Sequence, residues 1–459
     1  MALPRLAPPR SIDAALTEVF ALTAFRGDQR AIIEAGMSRD DVLVLMPTGG
    51  GKSLTYQLPA VMARGVTLVV SPLVALIENQ ISALVALRIP CAALISSIKA
   101  PHRKAIWADL CREAPMLRML YVTPEGLAGD GLRRLLTEMK GRGTLQRLVV
   151  DEAHCISEWG HDFRPQYRNL AWVKHALGLP VTALTASATP TVKADICRIL
   201  EFGPDARTFV SSFFRANLHY EVRWKRQGDN EAVDDIKAFL NRVYRHRHKR
   251  IQSSQETEAA GPDGAPPPPH TGSPDGDSGS GSQPPAERTQ GVCGIVYCHS
   301  RATCERVAGE LSQAGIAATS YHAGLTAKQR SEILEDWTGT TAFTTPEGRQ
   351  PIDVVVATIS FGMGIDKKDV RFVIHYDMPK TLEGYYQESG RAGRDGAVSR
   401  CILYASEDDA NKMNWLITKG NRRARLTQTS LKAFEAMWRY ATSMTVCRHR
   451  AMLDYFGAS

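Results

Sequence analysis

The sequence predicts an α/β fold: two successive parallel-sheet domains, each covered by helices, and a short helical extension. Three observations predict it. From 65 to 200, short apolar runs alternate with helically spaced stretches, and the strand candidates are Val66–Val70, Arg118–Val122, Leu148–Val150 and Val181–Leu184. Near-continuous apolar runs of strand length belong to parallel sheets buried on both faces. The alternation breaks off and resumes with Gly294–Cys298 and Val354–Thr358, which calls for a second sheet. Beyond 405 only helical spacing remains, at 408–417, 431–442 and from 445 onward. The expected domains are 1–210, 211–405 and 406–459.

The first domain opens with helical spacing over 11–35, where Leu16, Val19, Phe20, Ile32 and Ile33 supply apolar faces. Within it stands Phe25-Arg26-Gly27-Asp28-Gln29. The Gln29 amide has the donor and acceptor needed to read an adenine edge, although a surface glutamine is the plainer reading. A buried-strand run, Asp41–Met46, leads into Pro47-Thr48-Gly49-Gly50-Gly51-Lys52-Ser53, and helical spacing follows over 54–62. Strand, glycine-rich turn and helix together make a phosphate-binding P-loop. Its glycines let backbone N–H groups turn inward, and the helix N-terminus adds the positive end of its dipole. Lys52 is placed for β- and γ-phosphates and Ser53 for Mg2+. The match is imperfect, since the general pattern has Gly where Met46 stands.

A second strand run, Leu145–Val150, ends in Asp151-Glu152-Ala153-His154. Two carboxylates at a strand end suit a magnesium-nucleotide site, one holding the metal and the other polarising the attacking water. Alone, the pair is more simply an acidic turn; with a P-loop upstream, the nucleotide reading prevails. Ligands of doubly covered sheets bind at the carboxyl ends of strands. Five motif-like turns follow strand ends here: the P-loop, Ser71-Pro72-Leu73, Thr123-Pro124-Glu125, Asp151-Glu152 and Thr185–Thr189. The loop after the acidic pair carries Trp159, Phe163 and Arg164. These are two stacking faces and a cation suited to a nucleic-acid single strand, or equally to a loop folded on its own aromatics.

In the second domain, residues 233–250 read as a helix ending in a basic run of Arg242, Arg245, Arg247, Lys249 and Arg250, with His246 and His248. A solvated helix end is the default reading; a DNA-backbone contact or a nuclear-import signal is the minority one. Residues 252–291 hold eight Pro, seven Gly and six Ser, but no Val, Ile, Leu, Met, Phe, Trp or Tyr. Such a segment cannot offset its ordering entropy by burial, so a disordered insertion in a surface loop is expected. A smaller insertion is expected at 339–351. Later, Gln387 precedes Arg391 and Arg394 in the stretch 385–396. Two arginines three apart share one side of a helical turn and can reach across a cleft to a γ-phosphate, as arginine fingers do.

At 459 residues and 44% apolar composition, the chain is long enough for two or three real cores. A net charge of +8 is compatible with a nucleic-acid partner without establishing one. Nine cysteines without a repeated Cys-x-x-Cys spacing read as reduced thiols inside a cell. The first residues show no apolar signal-peptide core, and no apolar run reaches membrane-spanning length. A soluble cytosolic or nuclear protein without a membrane partner is expected.

Together these motifs resemble the RecQ family of DNA helicases, within helicase superfamily 2, over residues 12–457 apart from the insertions. The acidic motif is a DEAH box, and Cys155–Pro165 is similar to the aromatic-rich loop that follows it in that family. Residues 25–29 resemble its adenine motif, although Leu22 stands where many members place a stacking aromatic. Residues 212–218 resemble the start of its second domain, and 297–301, 321–324, 359–367 and 385–396 resemble its later motifs. The resemblance implies two RecA-like (P-loop) domains with ATP between them. Arg26, Gln29 and Thr48, Gly49, Gly50, Gly51, Lys52 and Ser53 would bind the nucleotide, and Ser53 and Asp151 would hold Mg2+. Lys52, Asp151, Glu152, His154, Gln387, Arg391 and Arg394 would be catalytic, with Glu152 as general base. Trp159, Phe163, Arg164, Arg301 and Thr358 would contact DNA.

The same resemblance implies 3′→5′ polarity on single-stranded, tailed or forked DNA, and work in DNA repair and recombination in a nucleus, or in a prokaryotic cytoplasm. Residues 446–457 resemble the start of the family's zinc-binding subdomain, with Cys447 as the first of its ligands. One thiolate does not build a structural zinc site, so an incomplete subdomain is expected and zinc is doubtful as a cofactor. Rival readings are an RNA helicase, a non-enzymatic binding module that keeps the fold, and a DNA-stimulated ATPase that unwinds little. Intact Lys52, Glu152 and Arg394 speak against the second.

Overall fold

The apolar runs of the first domain pair as strands of one parallel sheet. The computed structural model describes residues 6, 8–158, 160, 163–225, 231–243, 292–339, 352–359, 361, 367–420 and 424–457. The strands are β1 (Val42–Leu45), β2 (Val66–Val70), β3 (Cys91–Leu94), β4 (Met119–Val122), β5 (Leu145–Val150), β6 (Val181–Thr185) and β7 (Arg207–Val210). Their order is β3-β4-β2-β5-β6-β1-β7, with every pairing parallel. The central strands are buried along their whole length, because helices cover both faces. Leu43, Leu68 and Leu148 point into one core, and Val42, Val44 and Val69 into the other.

The second sheet comprises β8 (Leu218–Trp224), β9 (Cys293–Tyr297), β10 (Ala318–Tyr321), β11 (Val354–Ala357), β12 (Val370–His375) and β13 (Ser399–Ala405). Its order is β10-β11-β9-β12-β13-β8, again wholly parallel. Helices Glu407–Gly420, Ala424–Thr442 and Arg448–Phe456 complete the chain. The last of them touches both domains. Phe456 stacks on Phe213, ring centroids 5.0 Å apart, and the Tyr455 hydroxyl donates to Glu383 Oε1 at 2.6 Å. A Cβ added to Gly457 would lie 3.0 Å from Pro190 Cγ in the first domain.

The structure departs from the sequence expectations in places. The helical spacing over 11–35 resolves into a short helix Ile12–Ala14, a π-helical turn Ala15–Val19 and a helix Gln29–Met37. Ala21 (φ 53) and Gly27 (φ 45) lie between them, in a left-handed conformation that a right-handed helix cannot contain. Strands β3, β7, β8, β12 and β13 add to the candidates, and the strand-like run before Tyr321 is β10. β3 has two half-buried alanines at its centre and β7 is an exposed edge. β12 and β13 carry Arg371 and Arg400 inside otherwise apolar runs. The insertion at 252–291, most of that at 339–351, the basic residues Arg245 to Arg250, and Trp159 lie outside the described residues. Among the described residues no helix is long and apolar enough to cross a membrane.

Candidate functional site

The P-loop joins β1 to the helix Lys52–Met62. Gly49 (φ 83) and Gly51 (φ 82) adopt backbone conformations that side chains rarely take. Met46, the departure from the usual pattern, packs beneath the loop, so that a Cβ on Gly50 would approach its Cγ to 2.6 Å. Lys52 Nζ donates to Met46 O at 2.9 Å. Burial lowers the Lys52 pKa, while the charges of Glu152 and Asp151 pull it upward. Gln29 is buried beside the loop. Its Oε1 accepts from Arg26 N at 2.8 Å, and its Nε2 donates to Gly50 O and Gly51 O, both at 3.2 Å. Gln29 therefore braces the P-loop backbone, and the Arg26 side chain is exposed next to it. Ser53 Oγ accepts from Gln80 Nε2 at 3.2 Å.

The acidic motif stands at the end of β5, and β6 separates β5 from β1. Asp151 N–H donates to Val70 O at 2.9 Å, and the Tyr167 hydroxyl donates to Asp151 O at 3.0 Å. Burial and the neighbouring Glu152 push the Asp151 pKa up to about 7, against the pull of Lys52. Glu152 takes a left-handed backbone (φ 48), uncommon for a non-glycine residue and suited to a sharp change of direction. His154 is buried, with Nδ1 3.0 Å from Thr185 Oγ1 and 3.3 Å from Glu152 Oε2. The Thr185 hydroxyl gives its hydrogen to Ser187 O at 3.0 Å, so it accepts from His154, and Nδ1 carries the proton. Thr185 O also accepts from Met46 N at 3.1 Å. Thr185 thus links the acidic motif to the P-loop.

The second domain supplies the other wall. Arg394 lies over the P-loop: a Cβ on Gly49 would sit 3.1 Å from Arg394 Cγ, and the guanidinium charge lowers the Lys52 pKa. Gln387 is half-buried on the helix Leu382–Ser389. Arg391, in the turn that follows, is buried and hydrogen-bonds the Tyr297 phenol, whose pKa burial pushes up to about 12. Arg215, absent from the sequence-derived site, binds both walls. Its Nη1 donates to Thr48 O at 3.2 Å, and its Nη2 to Ala392 O at 3.1 Å and Gly393 O at 2.7 Å. Asn217 Nδ2 adds a bond to Gly393 O at 2.8 Å. Contacts from side chains to main-chain carbonyls leave no charge pattern in the sequence, so only the resemblance of 212–218 pointed at this segment.

The aromatic loop returns to the sheet through Arg164. Its N–H donates to Cys155 O at 2.9 Å, and its Nη1 to Pro72 O at 2.8 Å. Phe163 is half-buried. On the second sheet, exposed Arg301 starts the helix Arg301–Gln313 behind the cap Ser300. Thr358 N–H donates to Tyr321 O at 3.2 Å, and a Cβ on Gly324 would lie 3.2 Å from Arg301 Nη1. Arg301 and Thr358 therefore share the carboxyl rim of the adjacent strands β10, β11 and β9.

The cradle fits a nucleotide phosphate, because side chains are excluded at Gly49 and Gly50 and an enclosed cation, Lys52, adjoins them. The Ser53 hydroxyl and the Asp151 and Glu152 carboxylates are hard oxygen donors, which fit Mg2+.

Three family descriptions match successive stretches: "DEAD/DEAH box helicase" over 26–196, "Helicase conserved C-terminal domain" over 286–396 and "RecQ zinc-binding" over 407–459. The chain is 39% identical over 460 residues to "ATP-dependent DNA helicase Q5" of Rattus norvegicus, covering 98% of this chain and 42% of that protein. It is 37% identical to "RecQ-like DNA helicase blm-1" of Caenorhabditis elegans, covering 96% of this chain and 39% of that protein. The chain belongs to the RecQ family. A further RecQ-type relative, "ATP-dependent DNA helicase Q-like 2" of Arabidopsis thaliana, is 37% identical over 96% of this chain and 54% of its own length. The chain thus spans between 39% and 54% of the length of these three relatives.

Solved structures show the same two RecA-like domains. The DUF1998 helicase MrfA bound to DNA aligns with a TM-score of 0.62 at 16% identity, over 88% of this chain and 52% of that one. S. cerevisiae Dbp5 bound to RNA and ADP BeF3 aligns at 0.58 and 13% identity, over 94% and 98%. Identities this low carry the fold alone. In this RecQ-family chain Cys447 is exposed and precedes the helix Arg448–Phe456. Among the described residues no group of three or more His, Cys, Asp or Glu is arranged to hold a metal.

Proposed function

We propose that this chain is the motor core of an ATP-dependent DNA helicase that moves 3′→5′ along single-stranded DNA and separates tailed or forked duplexes. One observation carries the reading: Arg394 of the second domain rests on Gly49 of the P-loop, beside Lys52. A P-loop completed by an arginine from the facing domain ties hydrolysis to closure of a cleft. In this reading the backbone of Gly49 to Gly51 cradles the phosphates and Lys52 takes their β- and γ-oxygens, with Arg26 and Gln29 on the adenine side. Ser53 and Asp151 would hold Mg2+, which would supply positive charge to offset that of the phosphates. Glu152 accepts the proton of the attacking water, and the His154 ring stands beside it, Nδ1 3.3 Å from Oε2. Arg391 and Arg394 neutralise charge as the terminal phosphate leaves, and Gln387 stands one helical turn before Arg391. The strand runs past Trp159, Phe163 and Arg164 on the first domain and Arg301 and Thr358 on the second.

The names of the relatives, all DNA helicases, favour DNA over RNA. Work in DNA repair and recombination, in a nucleus, belongs to the same proposal. The test is strand displacement on 3′-tailed and 5′-tailed duplexes with and without ATP, alongside ATPase assays with single-stranded DNA and RNA. Displacement of the 3′-tailed substrate alone, dependent on ATP, is expected. Displacement of only the 5′-tailed duplex, or stimulation by RNA alone, overturns the reading. DNA-stimulated hydrolysis without displacement would reduce it to a DNA-dependent ATPase.

A further inference from the structure

The Ser53 hydroxyl is held from outside the P-loop. Gln80, on the helix Val74–Ala86, donates its Nε2–H to Ser53 Oγ at 3.2 Å. The other end of that amide, Oε1, accepts from Gln57 Nε2 at 2.7 Å. Gln57 is buried and stands four residues after Ser53 on the helix Lys52–Met62, so the two share one face. An amide nitrogen only donates. With Gln57 Nε2 as the donor, the Gln80 oxygen faces Gln57 and the Gln80 nitrogen is turned toward Ser53.

The helix that carries Gln80 is itself anchored. Ile77 and Leu84 are buried in the core. The helix begins at the Ser71–Leu73 turn, where Pro72 O accepts from Arg164 Nη1 at 2.8 Å. A serine hydroxyl has one hydrogen and two lone pairs, and its side chain rotates among three staggered positions. Gln80 engages one lone pair and the hydroxyl hydrogen is directed to the Tyr56 side chain, which leaves one lone pair, suited to a cation.

We propose that Gln80 is a positioning residue for the nucleotide's divalent cation: its amide donor holds the Ser53 hydroxyl in the rotamer that keeps a lone pair free for the metal. This rests on the reading of Ser53 as a Mg2+ ligand. Gln57 acts one step further out by fixing the Gln80 amide.

The test uses the full chain and a fluorescent ADP, mant-ADP, titrated in excess Mg2+ and again in EDTA. The wild-type chain should bind more tightly with Mg2+. Gln80→Met keeps the length and the apolar stem but has no donor. It should lose about tenfold of the Mg2+-dependent enhancement, as happens when an outer-shell partner of a metal ligand is removed. Its affinity in EDTA should stay at the wild-type value, because Lys52 and the loop backbone are untouched. Gln57→Met should give a smaller loss of the same sign, and a melting curve without nucleotide confirms that each variant is folded. Equal Mg2+ enhancement in wild type and Gln80→Met overturns the proposal. So does an equal loss in Mg2+ and EDTA, which would assign Gln80 to packing. Absence of any enhancement in the wild-type chain overturns the reading of Ser53 itself, and that is seen before any variant is made.

Discussion

Arg394 and Gly49 belong to different domains, yet a Cβ on Gly49 would come within 3.1 Å of Arg394 Cγ. The glycine is required twice, by its φ of 83 and by the arginine stem above it. The same interface is stapled by Arg215, whose guanidinium donates to Thr48 O on one side and to Ala392 O and Gly393 O on the other. The P-loop and the arginine turn are therefore held against each other.

Arg394→Ala should lower ATP turnover by about a thousandfold, the lower end of what arginine fingers contribute. Nucleotide affinity should change little, because Lys52 and the loop backbone remain. Arg394→Lys should not restore the rate, since a point ammonium lacks the planar fork of a guanidinium. Single-turnover hydrolysis with mant-ADP binding on the same variants separates the two effects. Wild-type turnover in Arg394→Ala would remove this residue from the site.

Glu152→Gln should keep nucleotide binding and lose hydrolysis. An amide of the same shape still fits beside His154, whose Nδ1 lies 3.3 Å from Glu152 Oε2, so the local shape persists while the base is gone. Lys52→Ala should abolish turnover. A Glu152→Gln chain that fails to bind mant-ADP would show that the carboxylate serves binding instead.

Much of this arrangement is legible in the sequence because it is local. The P-loop and the acidic motif each follow an apolar run, β1 and β5, that is buried along nearly its whole length. The residues that join the two motifs are harder to see. Thr185 links them through a hydroxyl and a carbonyl, and Arg215 through carbonyls far away in sequence. Gln80 is an ordinary polar residue until the fold sets it 3.2 Å from Ser53 Oγ. Gln29 is legible as an adenine reader, whereas its bonds to the P-loop backbone involve a partner that only tertiary packing supplies. The breaks in the first helical stretch are not legible, because apolar spacing continues across Ala21 and Gly27, where positive φ angles interrupt the helix.

The contact between Tyr455 and Glu383 gives a pH-dependent expectation. Burial raises the Glu383 pKa, and the donated Tyr455 hydrogen bond pulls it back down. A carboxyl whose folded pKa exceeds its unfolded value holds its proton more tightly when folded. Its contribution to stability is greatest at low pH and declines as pH rises through the folded pKa. Tyr455→Phe removes a donor to the carboxylate, moves the folded pKa further up and enlarges that decline. The variant should lose about 1 kcal/mol in acid and about 1.5–3 kcal/mol at neutral pH, the range for a hydrogen bond to a charged group. Denaturant melts of both proteins across the acid-to-neutral range check it. A destabilisation that does not grow with pH would show that Glu383 stays protonated throughout.

The final expectation concerns how a bound strand is sensed. The aromatic loop begins immediately after buried His154, whose Nδ1 contacts both Glu152 and Thr185. Arg164 fastens the far end of the loop to Cys155 O and Pro72 O. A base stacked on Phe163 or Trp159 would favour one loop conformation, and that conformation would favour the hydrolytic placement of Glu152. Base–aromatic stacking is worth about 1–3 kcal/mol per base, enough to shift a two-state loop by roughly one to two decades. Phe163→Ala and Trp159→Ala should therefore depress DNA-stimulated ATPase by about tenfold or more, with basal ATPase and melting temperature nearly unchanged. Arg164→Met should also lower stimulation, although both rings are present, because the end of the loop is no longer tied to Pro72. If the rings belong only to the packing of the loop, basal rate and melting temperature should fall together with the stimulated rate. Measuring all three quantities on the same variants decides it, and an equal loss of basal and stimulated activity would refute the coupling.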